Sequence, residues 1–322
     1  MTRSVLALAA LLLAACNTGF EPQYRVHDVR ILAVRSGVTA GSSADVAPGD
    51  SLVLQALVAN PGRRADVRIG WFACLPAATE GKVPCEDATL IQDPSRLAGL
   101  SGVIPLGVNA FPDPGPEPAL LGSVTMSLAD PATVASLELA LDFSVARAQQ
   151  NVSYQCSLFA DLVVVAVVDA GGKLSTAIKR VPVTLPPSQS LPPGVSNDYA
   201  LNLNPEAADV RRAPSDETTC AGGTSLADGP YPSGRTVICG VFASGSVQDI
   251  NICDPDPRPA QESLGWQWYV SDGEFPDEGG VGNAQGDHLD FIRPPGPFTL
   301  WGILRDGRGG VDWVTFDVGA AP

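Results

Sequence analysis

Apolar and polar positions along this chain fall into three regimes. Val5 to Leu13 is one short apolar run, preceded by Arg3 and closed by Leu13-Ala14-Ala15-Cys16. From Val29 onward, apolar runs of four to eight residues recur between Pro/Gly/Asp turns, a rhythm that predicts strands. Arg30 to Arg35, Ser51 to Val58 and Val67 to Cys74 are the first of them. Leu162 to Val168 is apolar at every position and turns through Asp169-Ala170-Gly171-Gly172 into a partner strand, Ser175 to Leu185. A strand without alternation has both faces covered. The third regime, Pro186 to Gly194, is proline-rich and biased to polyproline II, a semi-rigid spacer.

Beyond that spacer the strand rhythm resumes. Tyr199 to Leu203 is the expected first strand, followed by Thr236 to Ala243, Leu264 to Val270 and a closing hairpin, Phe298 to Val318. Two segments match across the halves: Trp71-Phe72-Ala73-Cys74 with Trp268-Tyr269-Val270, and the Asp169 turn with Asp306-Gly307-Arg308-Gly309-Gly310. Trp to turn is 98 residues in the first half and 38 in the second, which places about 60 extra residues between roughly Pro76 and Gln150. They include a short helix near Thr133 to Arg147 and are the natural cover for the second face of the all-apolar strand.

The expected organisation is therefore a leader at 1–15, a tether at 16–27 and a sandwich at 28–185 with an insertion at about 76–150. A linker at 186–198 and a second sandwich at 199–319 complete it. Removing the leader leaves 307 of the 322 residues, more than one core usually serves. The fold class is all-β, two antiparallel sandwiches in tandem.

Charge excludes two classes of partner. The formal net charge is −15, and there are three lysines, Lys82, Lys173 and Lys179. Such a chain offers no sequence-independent grip on nucleic acid or on anionic headgroups. The apolar leader is shorter than the about 20 residues a spanning helix needs. Membrane attachment must come from a lipid.

The end of the leader supplies one. Leu13-Ala14-Ala15-Cys16 resembles the lipobox of bacterial lipoproteins, in which the cysteine thiol is acylated and the chain is cut just before it. The resemblance implies a lipid on Cys16, an anchor that does not leave the bilayer unaided. Asn17 in place of Asp points to the outer membrane.

Six further cysteines, Cys74, Cys85, Cys156, Cys220, Cys239 and Cys253, form an even set suited to disulfides in an oxidising envelope. Zinc is disfavoured, because no Cys-x-x-Cys occurs and His27 and His288 are distant in the chain. Cys74 and Cys85 are close enough to staple one loop. Each half holds three cysteines, so full pairing requires a bridge between halves.

Trp-Tyr-Val-Ser-Asp-Gly at 268 to 273 and Leu-Arg-Asp-Gly-Arg-Gly-Gly at 304 to 310 resemble the PKD branch of immunoglobulin-like folds. With Arg-Ile-Leu-Ala-Val-Arg and Ala-Pro-Gly-Asp, the whole layout resembles a group of bacterial lipoproteins with Ig-like domains and no assigned activity. The resemblance implies that Trp268 faces a core. Trp266 and Val270 then share its face, as do Phe298, Leu300, Leu304, Val314, Phe316 and Val318 across the hairpin. Tyr269, Trp301 and Trp313 fall on the outside as an aromatic stripe, a candidate binding surface unless the stripe packs on the first domain, the linker or a loop.

Chemistry beyond binding finds no pattern to rest on. There is no Gly-x-Ser-x-Gly, phosphate loop or zincin helix, so no enzyme and no cofactor are expected. Asp254, Asp256 and Asp272 are weak calcium candidates, since Asp-Gly and Asp-Pro are first of all turn formers. The function expected is a lipid-anchored, non-catalytic binding, adhesion or support role at the envelope, with an envelope protein as partner. The alternative is a glycan-binding or glycan-active accessory protein.

Overall fold

The computed structural model describes residues 23–38, 43–76, 85, 94–113, 118–186, 189–213, 222–228, 234–252, 258–276, 284–285 and 288–319. In the first half these form β1 (Arg30–Val38), β2 (Ser51–Ala59), β3 (Val67–Cys74), β4 (Val103–Phe111), β5 (Ala119–Ser127), helix α1 (Pro131–Gln150), β6 (Phe159–Ala170) and β7 (Lys173–Thr184). The second half holds β8 (Ala207–Ala213), β9 (Thr224–Ser225), β10 (Gly234–Phe242), β11 (Asp249–Ile252), β12 (Arg258–Gln261), β13 (Gly265–Val270), β14 (Ala284–Gln285), β15 (His288–Arg293), β16 (Phe298–Arg305) and β17 (Val311–Val318).

Every strand pairing within the sheets is antiparallel. Sheets β1-β2-β5 and β4-β3-β6-β7 face each other in the first half, and β15-β10-β8-β9 and β14-β13-β16-β17 in the second. The chain is all-β, two immunoglobulin-like sandwiches with matching strand orders. The two quoted repeats occupy equivalent places: Trp71 on β3 sits opposite Ala166 of β6, and Trp268 on β13 opposite Gly302 of β16. The Asp169 and Asp306 turns join the last two strands of each sandwich.

Alternation builds each core. Leu52, Leu54, Ala56 and Val58 of β2 meet Ile69, Trp71 and the even-numbered residues of β6 in the first core. Trp266, Trp268 and Val270 meet Phe298, Leu300 and Leu304 in the second, with Val314, Phe316 and Val318 packed against them. That is the inward set read from the sequence. The indole N–H of Trp71 donates to Asn109 Oδ1 at 2.8 Å, so its burial leaves no orphaned donor.

The structure corrects the sequence reading at three places. Residues 76–150 are not one insertion, because β4 pairs with β3 and β5 with β2 as integral strands. The true additions are the segment between β3 and β4 and the stretch from α1 to β6. Helix α1 starts where Asp130 accepts from Thr133 N at 3.0 Å with Pro131 beside it, and it buries Leu137, Leu141 and Val145.

Tyr199 to Leu203 forms no strand. The second sandwich begins with β8, and residues 199–204 lie as irregular backbone in the junction, where their polar groups bond across it. The tether is also shorter than expected. Val26 N donates to Val270 O and Val270 N to Tyr24 O, both at 2.9 Å, so residues 24–26 extend the sheet of the second domain. Tyr24 packs edge-on to Phe275 at 5.1 Å between centroids. Among the described residues, no helix is long and apolar enough to cross a membrane.

Candidate interdomain site

The apolar strands explain how the two sandwiches meet. On β16, Leu300 and Leu304 point into the second core, while Trp301 and Ile303 point out, as a period of two requires. Their outer face lies against Leu32, Ala33, Leu57 and Ala59 of the first domain, with Val26 and Val311 completing the cluster. Trp301 is 0% exposed. Tyr269 and Trp313 are half-buried on the same cluster, under Arg30 at 5.0 Å and Arg35 at 4.9 Å respectively. The aromatic stripe is therefore a seam, which corrects its reading as a candidate binding surface. Arg35 also bonds Asp312 at 2.7 Å, and Arg305 donates to Leu32 O at 3.2 Å, so charged groups close the edges of the apolar patch.

Beside this seam lies a buried polar cluster. Asp306 Oδ1 accepts from the N–H groups of Arg308, Gly309 and Gly310 at 2.8, 2.9 and 2.8 Å, which winds the β16–β17 turn tightly. Gly310 is required there, since a Cβ would lie 1.9 Å from Asp306 Oδ2 and 2.9 Å from Leu203 O. The turn enters the first domain as a plug. Lys179 of β7 donates to Gly309 O, Arg308 donates to Ala200 O, and Val311 N donates to Asn204 Oδ1 at 3.0 Å. Arg308 also pairs with Glu262 at 3.4 Å and stacks on Tyr199 at 5.3 Å. From the loop before β2, Asp45 accepts from Tyr199 Oη at 2.8 Å and from Asn202 N at 2.7 Å.

Burial dominates the proton affinities of this cluster. It pushes the Asp45 carboxyl up to about 6, against the hydrogen bonds from Asn202 and Tyr199 that favour its anion. Glu262 is raised to about 7 by burial and by nearby Asp306, with Arg308 opposing. Burial lowers Lys179 to about 8 although Asp306 and Asp45 favour its charged form. Burial also raises Tyr199, with the Asp45 charge adding to it. Perturbed groups gathered at one cleft mark a candidate functional site. No nucleophile is aligned with a base in it, and its hydrogen bonds run between the two domains and the segment that joins them.

A cleft of about 380 Å³ adjoins the cluster, lined by Phe159, Tyr199, Arg308, Asn251 and Ile252 among others. Phe159 and Tyr199 sit 5.1 Å apart there with their rings tilted. Cys156 lies on its wall.

The remaining predicted residues fall in different places. Cys74 and Cys85 are joined, with Cα atoms 5.9 Å apart. Cys156 and Cys239 each take part in a disulfide, and neither partner lies among the described residues. Cys16, Cys220, Cys253, Asp254 and Asp256 lie outside the described residues. Asp272 caps its own turn by accepting from Gly273 N at 2.8 Å. Among the described residues no three His, Cys, Asp or Glu side chains group as metal ligands would.

Sequence reasoning missed Asp45, Lys179, Tyr199, Glu262 and Arg308. One signal was present: on β7, Lys179 shares the inward parity of Val181 and Val183, while Ile178 points out. A lysine on the core side of a strand demands a buried acceptor.

Comparison with known proteins adds little to this geometry. No protein-family profile matches the chain, and no curated protein sequence matches it. Among solved structures, the chain is similar to a transglutaminase of red sea bream at 10% identity and a TM-score of 0.24, covering 91% of this chain and 32% of that one. It is similar to Escherichia coli alpha-2-macroglobulin activated by porcine elastase at 10% identity and a TM-score of 0.28, covering 92% and 22%. The trypsin-activated form of that protein gives 10% identity and a TM-score of 0.26, covering 94% and 18%. The chain spans about a third or less of the length of these chains, and likenesses this loose say nothing of activity.

Proposed function

We propose that this protein is a lipid-anchored component of a bacterial envelope with a non-catalytic role: it binds or supports other envelope components with a rigid two-domain body. The observation that carries the reading is the junction. Trp301, the aromatic residue most suited to an outer binding stripe, is used instead to weld the sandwiches, and the Asp306 turn locks them. A welded body suits a spacer, scaffold or adhesive module. The lipobox-like Leu13-Ala14-Ala15-Cys16 supports attachment through Cys16, and Asn17 supports the outer membrane.

Metabolic labelling with an alkynyl palmitate tests the anchor. Wild-type protein takes up the label and resists detergent-free washing, whereas Cys16→Ser takes up none and is released. Unlabelled, freely washed wild-type protein would overturn the reading. Cross-linking in intact cells followed by pull-down tests the support role, which expects envelope proteins to be captured with the wild type and lost with the unanchored variant.

One observation favours a second reading. The cleft beside the junction combines the Phe159 and Tyr199 rings with Arg308 and Asn251, a mixture of flat apolar faces and hydrogen-bonding edges that suits a sugar ring. Titration with purified envelope glycan fragments decides it. Binding by the wild type that Tyr199→Ala abolishes supports a glycan-binding role, and no heat of binding to any fragment removes it.

A further inference from the structure

Net charge alone argues that the body is repelled by an anionic lipid surface, yet the fold does not spread its charge evenly. One pole gathers cations from distant parts of the chain. Arg63 and Arg64 lie in the β2–β3 turn, Lys173 opens β7 after the β6–β7 turn, and Arg25 and Arg30 flank the entry of the chain. Arg64 and Lys173 share Asp28 at 3.0 Å each, Arg25 pairs with Glu274 at 3.1 Å, and Arg63 reaches Asp317 at 3.8 Å. Among the described residues around the entry point these cations offset the neighbouring carboxylates, while the chain as a whole carries −15.

The chain also enters at this pole. Tyr24 and Val26 are 3% and 1% exposed and hydrogen-bonded to Val270, so the chain is held on the body from Tyr24 onward. Only residues 17–23 separate it from Cys16, a reach of at most about 25 Å fully extended. The body is taller than that reach, since the 12 residues of β6 run about 40 Å from pole to pole.

We propose that the pole formed by Tyr24 to Asp28 and the β2–β3 and β6–β7 turns faces the bilayer and meets anionic headgroups through Arg63, Arg64 and Lys173. The inference rests on the lipid anchor proposed above. It turns the opposite pole, with the β1–β2 and β10–β11 turns, away from the membrane. The interaction is short-ranged and orients the body, because each cation already has a carboxylate partner and exposed pairs exchange partners at little cost. Arg63, Arg64 and Lys173 keep 54%, 44% and 66% of their side chains exposed, so headgroup phosphates can reach them.

The test uses the full acylated protein in vesicles of phosphatidylethanolamine and phosphatidylglycerol carrying a headgroup energy acceptor. A donor amino acid is placed at Ala65 beside the cations, at Ala129 just before α1, or at Ser244 after β10. Transfer several-fold more efficient from Ala65 than from the other two supports the orientation. Equal or reversed efficiencies overturn it. The combined variant R63E/R64E/K173E should stay on the vesicles and lose the difference between sites, as should the wild type at high salt; a difference that survives both overturns the electrostatic contact. Failure of the anchor looks different, because the wild type would then not sediment with the vesicles at all.

Discussion

The two sandwiches share a strand order, and in both the strand opposite the core tryptophan is buried on its inner and outer faces. They hide the outer face by different means. On β6, Val163, Val165 and Val167 are covered by Cys85, Leu97 and Leu100 from the segment that Cys74 staples back onto the sheet. On β16, Trp301 and Ile303 are covered by the other domain. The turn that follows differs in the same way. Asp169 bonds Gly172 N at 2.8 Å in an exposed turn, whereas Asp306 winds three N–H groups into a plug. An apolar outer face is thus a demand for a cover, and one fold meets it locally in one copy and by domain association in the other.

The largest effect should come from removing the cover on β16. Truncating a fully buried aromatic side chain costs about 3 to 5 kcal/mol, so Trp301→Ala should separate urea unfolding into two transitions as the seam fails. Trp301→Phe should lose far less, since the indole N–H is buried without an acceptor and its removal relieves that cost. Val165→Ala, at the matching face of β6, should destabilise the first domain alone and leave the seam intact. A single cooperative transition in Trp301→Ala would show that the domains do not depend on that contact.

Cys74→Ser with Cys85→Ser sharpens the same contrast. The bridge closes a loop with a sequence separation of 11, and opening it should cost about 2 to 3 kcal/mol. The loss should appear in the first domain's transition and not in the second's, read by denaturant midpoints of each. Gly302→Ala probes the inner face. A Cβ there would approach Trp268 to 2.8 Å and Trp266 to 3.0 Å, because those two rings stack at 5.1 Å where the first domain has one tryptophan. Overpacking of this kind costs about 1 to 3 kcal/mol, and thermal denaturation should show it in the second domain.

Much of this contrast was legible in the sequence. The unbroken Leu162 to Val168 run announced a strand covered on both sides; the expected cover was everything from about 76 to 150, of which the part with Cys85, Leu97 and Leu100 does the covering. The closing hairpin's inward residues followed from a period of two once the resemblance had turned Trp268 to the core. The first domain was one of several covers left open for the outer face of β16, and the sequence could not choose among them, because alternation tells which side a residue takes and nothing of what lies beyond it. β4 and β5 were absorbed into an insertion for a related reason. Their exposed positions carry Pro105 and Gly107, or Ser123 and Thr125, which weakens the apolar rhythm while leaving the backbone pairing intact. The polar junction was least legible of all, since Asp45, Lys179, Glu262 and Asp306 are separated by up to 261 residues and meet only when both sandwiches are built.

That junction gives the smallest effect and the one most specific to the second domain's plug. Asp45 rises from 3.8 to about 6 and Glu262 from 4.5 to about 7 on folding, so the folded state holds their protons more tightly than the unfolded chain does. Stability from these groups is fully present in acid and is lost as pH rises through about 6 and 7. Lys179 falls from 10.5 to about 8, so its burial penalises the charged form, and stability returns as pH climbs from about 8 toward 10.5. Between these windows all three groups are ionised together, and the junction should be weakest near pH 7 to 8. Acidifying from pH 7.5 to 5 should strengthen it on the order of 1 to 2 kcal/mol, measured as the urea midpoint at constant ionic strength. Asp45→Asn keeps acceptor oxygen for Tyr199 and Asn202 while removing its titration, and should shrink the acid-side gain to the part Glu262 supplies without touching the alkaline rise. Asp45 and Lys179 sit on the first domain and owe their burial to the junction, so in Trp301→Ala, where the domains come apart, the first domain's own transition should lack this minimum; finding it there would detach the pH response from the plug.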